Sequence, residues 1–158
     1  MLKDLTQALS YDPDTGEFHW KISPKPGVKA GDLAGSINTD GYRQLGFKGK
    51  NYLAHRIAFV FMTGNWPVNQ GDHKNGVRDD NRWLNLRDVP SPVNTQNQRK
   101  ARKSSKTGIL GMSKKGKKFQ ADISVNGKSV YLGLFHSEEQ ASQAYVNAKR
   151  TMHEGNTL

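Results

Sequence analysis

Apolar positions along this chain change period several times, and each change marks an element. Leu2, Leu5 and Leu9 recur at helical spacing over one or two turns. Glu17-Phe18-His19-Trp20-Lys21-Ile22 then alternates polar and apolar, as a half-buried strand does. Between them Asp12-Pro13-Asp14-Thr15-Gly16 is a turn, in which Pro presets φ and Gly tolerates a positive φ. Segments 31–38 and 42–52 predict further strands, broken at Asp40-Gly41 and Gly49-Lys50. The first fifty residues are thus expected to form a small antiparallel sheet that acts as scaffold. Leu53, Ile57, Val60 and Phe61 next build the apolar face of a helix over 53–62, ended by Gly64 with Pro67 beyond. His55 and Arg56 fall in its first turn, His55 as a surface residue and Arg56 as a phosphate contact.

Asn75-Gly76 has the form of a hairpin turn between two short extended pieces. Residues 81–86 predict a helical turn that carries Trp83, Leu84 and Leu86 inward. Ser91-Pro92 opens a further helix, with Ser as N-cap and Pro at the first helical position, and Asn94, Asn97 and Gln98 share one of its faces. From Gly108 the pattern is three strands and a helix. Ile109 to Met112 is short, Phe119, Ala121, Ile123 and Val125 alternate, and Asn126-Gly127 closes a hairpin. Val130, Leu132 and Leu134 alternate on the return strand. Ser137-Glu138-Glu139-Gln140 caps a helix whose stripe is Ala141, Ala144, Tyr145, Ala148 and Met152, ended by Gly155. The expected class is α+β: a small N-terminal antiparallel sheet with a ββα module, a basic linker, then a three-stranded antiparallel sheet packed on one helix. The expected domains are 1–98, a linker over 99–107, and 108–158.

Composition narrows the partners. At 158 residues and 34% hydrophobic content, two small domains with modest cores fit better than one large one. No apolar run approaches eighteen residues, so a soluble, cytoplasmic chain without a membrane partner is expected. The absence of cysteine excludes disulfides and Cys-containing zinc sites. The net charge of +10 is concentrated: residues 89–121 carry nine Lys/Arg and no Asp/Glu. A block of that kind attracts a polyanion, with nucleic acid the first candidate.

The chemistry centres on Gly71-Asp72-His73-Lys74-Asn75-Gly76. A carboxylate is a hard ligand suited to Mg²⁺, which prefers oxygen and keeps several waters. A neutral imidazole takes a proton from water near neutral pH. Neighbours in a strand face opposite sides, so the strand must end or twist at this pair for both to act together. Asn85 and Asn94 lie nine apart, but Pro90 and Pro92 interrupt the run, so they can sit on separate elements that converge on His73. Asn75 and Asn81 fit turn or cap roles, whereas Asn94 lies inside a helix where capping does not apply.

These residues resemble the HNH homing-endonuclease-like nucleases of tailed bacteriophages, with their ββα-metal active site. The resemblance runs from Ala54-His55-Arg56 through Asp72-His73, Asp80-Asn81, Asn85-Leu86-Arg87 and Asn94-Thr95-Gln96-Asn97-Gln98, without a gap. Gly71 stands where relatives usually carry an apolar residue. The resemblance implies His73 as general base, Asn85 orienting it, Asn81 as part of the same constellation, and Asp72 with Asn94 holding one divalent cation, Mg²⁺ or Mn²⁺. Asn97 is the reserve second ligand. It also implies hydrolysis of double-stranded DNA to 5′-phosphate and 3′-hydroxyl ends, nicking by a monomer, with a dimer on DNA as the route to a double-strand break. If the chain is phage-encoded, its setting would be the bacterial host cytoplasm. Loss of activity is expected below pH ~6, where an unshifted imidazole is protonated.

The C-terminal region resembles the plant apetala-two/ethylene-response-factor DNA-binding domain through Gly111-Met112, Phe119 to Ile123, Val130 to Phe135 and Glu138 to Tyr145. That implies a sheet laid in the major groove. The exposed face would offer Ser113, Lys115, Gln120, Asp122, Ser124, Ser129 and Tyr131. Several of these are serine where plant relatives have arginine, so weight moves to phosphate contacts from Lys114, Lys115, Lys117 and Lys118, and from Arg99, Lys100, Arg102 and Lys103 in the basic run. Two other readings stand beside the nuclease. One is a non-catalytic DNA-binding or regulatory protein with a degenerate module; the other is an RNA-binding nuclease or chaperone, which lacks a clear aromatic stacking series.

Overall fold

A computed structural model of the chain describes residues 2–98, 100–101 and 104–157; the basic-run positions Arg99, Arg102 and Lys103 lie outside them. The architecture is α+β, as expected. Its contacts divide into two units, Met1–Val89 and Pro90–Leu158, so residues 91–98 fall with the second unit rather than the first. No helix among the described residues is long and apolar enough to cross a membrane.

In the first unit, α1 (Leu2–Ala8) runs into β1 (Leu9–Tyr11), which pairs antiparallel with β2 (Phe18–Trp20). The turn between them is held by Asp12 Oδ1, which accepts the Asp14 and Thr15 amides at 2.9 and 3.3 Å. A second sheet is ordered β3 (Ser36–Ile37), β4 (Arg43–Phe47), β5 (Lys50–Leu53). The region therefore forms two small sheets instead of the expected one. Pro24 and Pro26 cannot donate to a ladder, and only an isolated bridge, His19 to Leu33, forms where the 31–38 strand was expected to begin. α2 (Ala54–Thr63) buries Ile57, Ala58, Phe59 and Val60. Gly64 ends it at φ 77° with its amide on the Val60 carbonyl, the cap that its sequence predicts. Leu5, Leu9, Phe18, Leu45 and Ile57 are the fully buried centre of this unit.

β6 (Gln70–His73) and β7 (Leu86–Val89) complete the first unit as an antiparallel pair, with Asp72 opposite Arg87 and His73 opposite Leu86. Asn75-Gly76 is not the turn of a tight hairpin, because the partner of β6 begins only at Leu86. It is one bend inside the connection 74–85, where Asn75 Oδ1 accepts the Val77 amide at 2.9 Å. Residues Trp83–Asn85 form a single 3-10 turn. Trp83 packs edge-on against Phe59 at 5.1 Å and Leu86 is buried, but Leu84 is 83% exposed. Three consecutive residues of so tight a turn point in different directions, so the expected inward set loses its middle member.

The second unit begins with α3 (Ser91–Gln96), which has Pro90 at its cap position and no side-chain cap bond, so the expected Ser91 cap does not form. β8 (Met112–Lys115), β9 (Lys118–Val125) and β10 (Lys128–Phe135) make a three-stranded antiparallel sheet ordered β10-β9-β8. Asn126-Gly127, at φ 50° and 78°, closes the β9–β10 hairpin as the dipeptide predicts. α4 (Glu138–Met152) starts at Ser137, whose hydroxyl accepts the Gln140 amide at 3.2 Å. Met112, Ala121, Ile123, Ala141 and Ala148 are buried.

Two expectations fail here for local reasons. A register shift between Tyr131 and Gly133 breaks the alternation of β10, so Leu134 pairs with Gln120 and is 44% exposed while Phe135 packs on the core. Gly155 does not cap α4, which ends at Met152 with His153 beyond; its lack of a side chain admits the Val93 carbonyl, 2.1 Å from an added Cβ. Gly111 has both constraints at once. It sits at φ 66°, and a Cβ there would fall 1.8 Å from the Tyr145 ring. Gly111→Ala is expected to cost about 3 kcal/mol, read as a lowered midpoint in urea denaturation.

Candidate active site

His73 is the last residue of β6, and the chain leaves the strand directly after it. Its side chain is 4% exposed. Nε2 lies 3.2 Å from Asn81 Oδ1. Asn81 Nδ2 donates to the Asp79 carbonyl at 3.1 Å, which turns the amide oxygen toward the imidazole. An amide oxygen only accepts, so Nε2 carries the hydrogen and Nδ1 is the nitrogen with the lone pair. Burial pushes His73 below its ordinary value, against the opposing effects of Asn81 and of Asp72, Asp80 and Asp79.

Asn81 thus occupies the place that the family resemblance implied for Asn85. Asn85 works on the loop backbone instead: its Oδ1 accepts the Asn75 amide at 3.0 Å and its Nδ2 donates to the Asp80 carbonyl at 2.7 Å. Asn75 Nδ2 adds a bond to Asp80 Oδ2 at 2.6 Å, and Arg82 clamps both oxygens of the same carboxylate at 2.7 and 2.6 Å. The Arg82 bond holds Asp80 down at about 2. These bonds cross-brace the connection 74–85, so that Asn81 is delivered to His73 by a fixed frame. Asn85→Ala removes both of its bonds and is expected to cost about 2 kcal/mol, measured by thermal or urea unfolding.

The N-terminal scaffold grips the same loop. Tyr11 donates its hydroxyl to the Asn81 carbonyl at 2.7 Å, and the Pro13 carbonyl accepts the Trp83 amide at 2.9 Å. Gly16 approaches so closely that an added Cβ would lie 2.5 Å from Arg82 N. Burial pushes the Tyr11 phenol well above its ordinary value. None of these three contacts was legible before the fold was known, since they join residues far apart in the chain.

Asp72 precedes His73 on β6. Arg87, directly across the ladder, places Nε and Nη2 at 2.9 and 2.7 Å from Asp72 Oδ2. Both side chains are mostly shielded from solvent, which strengthens the pair and fixes the carboxylate's orientation. Among the described residues no three His, Cys, Asp or Glu side chains gather as a metal-holding group. The Asp72 carboxylate is a hard oxygen donor of the kind that Mg²⁺ accepts beside its retained waters, so it fits such an ion.

His55 departs furthest from expectation. It is buried in α2 at 5% exposure, not on the surface, and its ring stands edge-to-face on His73 with centroids 4.9 Å apart. Tyr42 touches both rings, at 5.5 and 5.9 Å. Burial, then His73 and Arg56, pushes His55 down to about 3, so it is neutral at physiological pH. Arg56 is exposed. Gly71 is explained by the same ring: an added Cβ would lie 2.9 Å from His55 Cδ2 and 3.3 Å from Phe59. The space that an apolar side chain would fill is occupied from α2.

Residues 52–96 match the family model described as HNH endonuclease. Residues 52–96 are thus similar to that family. It is also similar to the DNA endonuclease I-HmuI of Bacillus phage SP01, 35% identical over 91 residues, which cover 52% of each chain. The chain therefore spans about half the length of that curated relative. No solved structure matches it. The matched segment takes in α2, β6, the loop 74–85, β7 and α3, which includes every side chain at His73 described above except Tyr42.

In the second unit, Asn94 lies half-buried on α3. Asn97 is just past that helix and buried, and its Oδ1 accepts the Thr157 hydroxyl. Gln96 Oε1 accepts the Gly155 amide at 2.9 Å, and the buried Lys149 donates its ammonium to the Gln98 carbonyl. Lys100 is exposed. The sheet face away from α4 presents Ser113 and Lys115 of β8, Gln120, Asp122 and Ser124 of β9, and Ser129 and Tyr131 of β10, with Tyr131 60% exposed. Gln120 donates to both oxygens of Asp122 at 3.0 and 2.8 Å, tying two of these groups to each other. Lys114 and Lys117 are exposed beside the β8–β9 turn, and Lys118 is half-buried.

Proposed function

We propose that this protein is a divalent-metal-dependent DNA endonuclease of the HNH kind, which hydrolyses phosphodiester bonds and nicks duplex DNA as a monomer. The observation that carries this reading is His73 itself: a neutral, buried imidazole at a strand end, with Nε2 tied to Asn81 and its lone pair on Nδ1. A general base needs that combination of one fixed nitrogen and one proton-accepting nitrogen. His73 takes the proton of the attacking water at Nδ1. Asn81 and the frame built by Asn85 keep the ring from turning its protonated nitrogen to the water.

Asp72 and Asn94 would hold the cation, most simply Mg²⁺, with Arg87 setting the carboxylate's orientation. Asn94 is the leading second ligand and Asn97 the reserve. When bound, the ion supplies charge stabilisation for the phosphate and the leaving 3′ oxygen. The second unit would bring duplex DNA through the sheet face of Ser113 to Tyr131 and the lysines beside it, with Lys100 and the other basic-run residues on phosphates. Residues 1–98 would act as the nuclease part and 108–158 as an apetala-two/ethylene-response-factor-like binding part, at work in the cytoplasm. The similarity to a phage DNA endonuclease supports DNA as substrate.

The test is conversion of supercoiled plasmid to open circles in Mg²⁺ by wild type and His73→Ala. Equal cutting would end the reading, and tight duplex binding with no cutting by either would favour the non-catalytic alternative. The pH profile adds a second check. Because His73 is held below its ordinary value, its neutral form persists as pH falls through 6.5. Cutting should therefore hold level from about pH 8 down past 6.5 and fall only on the more acid side, lower than an unshifted imidazole would give. A half-loss at or above pH 6.5 would count against this base in this setting.

A further inference from the structure

We propose that His55 is a positioning residue for His73, a neutral buried ring of α2 that fixes the plane of the base imidazole. The proposal rests on the reading of His73 as base. The Nε2 contact with Asn81 fixes one point of the ring. Two other rings pack against it and fix its plane. His55 stands at 79° to His73 with centroids 4.9 Å apart, and Tyr42 covers both at 5.5 and 5.9 Å.

The wall itself is closely packed. Backbone at Gly71, two residues before the base, is pressed against His55 so closely that a Cβ would lie 2.9 Å from Cδ2. On its other side the ring belongs to the packed helix that buries Ile57, Ala58 and Phe59. An imidazole is also a poor choice if stability alone matters here. Among the described residues His55 Nδ1 is buried without a hydrogen-bond partner, a penalty that leucine at this position would avoid. The five-membered ring keeps a flat aromatic surface against His73 in a gap already closed by Gly71 and Phe59.

The experiment uses the full chain with His55→Leu, read by ¹⁵N spectra of the His73 ring and by steady-state nicking of plasmid in Mg²⁺. His55→Leu should fold, keep KM for DNA and lose about tenfold to a hundredfold in kcat. The His73 ring should move from the single Nε2–H tautomer to a mixture. An unchanged tautomer and unchanged kcat in the folded variant would overturn the proposal. If His55→Leu does not fold, His55→Met removes the ring while filling similar space, and an unchanged His73 tautomer there overturns it equally. The ring spectrum is recorded without substrate, so it tests positioning by itself. Failure of the base reading would appear separately, as His73→Ala cutting at the wild-type rate.

Discussion

His73→Ala should lower the rate of plasmid nicking by about 10³-fold, within the range that loss of a positioned general base produces. The variant should still bind duplex DNA, because nothing in the proposed DNA contacts runs through the imidazole. It should also fold. His73 is buried, but it stands at a strand end with its partner Asn81 held independently by Tyr11, Asp79 and the Asn85 frame. Comparison with Asn81→Ala separates two contributions. Asn81→Ala keeps the base and loses its fixed tautomer, so its rate should fall less than that of His73→Ala, by about tenfold to a hundredfold. Asn81→Asp is the sharper companion: a carboxylate still accepts from Nε2 and should retain more activity than alanine. A His73→Ala rate within threefold of wild type would remove the imidazole from the chemistry.

How much of this was legible depended on whether the information was local. The α2 helix, its Gly64 cap, the Asn126-Gly127 hairpin and the Ser137 cap are each set by residues within a few positions, and each forms as its sequence predicts. The Asp72-His73 pair at a strand end was also readable, since an Asn-Gly step follows it directly. What failed was non-local. Asn75-Gly76 has hairpin chemistry, yet the partner strand begins at Leu86, so the dipeptide becomes one bend of a longer braced loop. Asn81 and Asn85 are both asparagines ahead of one helix, and spacing cannot tell which faces His73 and which faces backbone. Only Asp79 and Asp80, which accept from them, decide that. His55 looked like a surface residue because a polar side chain in the first turn of a helix usually is one. It is buried because β6 lies over it, and Gly71 was the available signal: a glycine inside a strand marks the close approach of something else.

Acid should destabilise the first unit in two separable windows, and the upper one belongs to buried histidine. His55 has a folded value of about 3 against an ordinary 6.5, and His73 is depressed in the same direction. The unfolded chain therefore binds protons at His55 between those values while the folded chain does not. Stability from this source is fully present above pH 6.5 and is lost as pH falls from there toward 3. Each such group costs about 1.4 kcal/mol per pH unit in that interval, so His55 alone removes about 3 kcal/mol by pH 4.5. That is a large share of the stability of an ordinary small domain. The lower window belongs to Asp80, held at about 2 by Arg82, whose contribution is present above its ordinary 3.8 and disappears only below it. Urea denaturation at stepped pH should show the midpoint falling from pH 6.5 downward in wild type. In His55→Leu the slope between pH 6.5 and about 4.5 should shrink to the part left by His73 and by other groups. An identical slope in both proteins would mean that His55 is protonated in the folded state, and that the ring pair with His73 is not the neutral one described above.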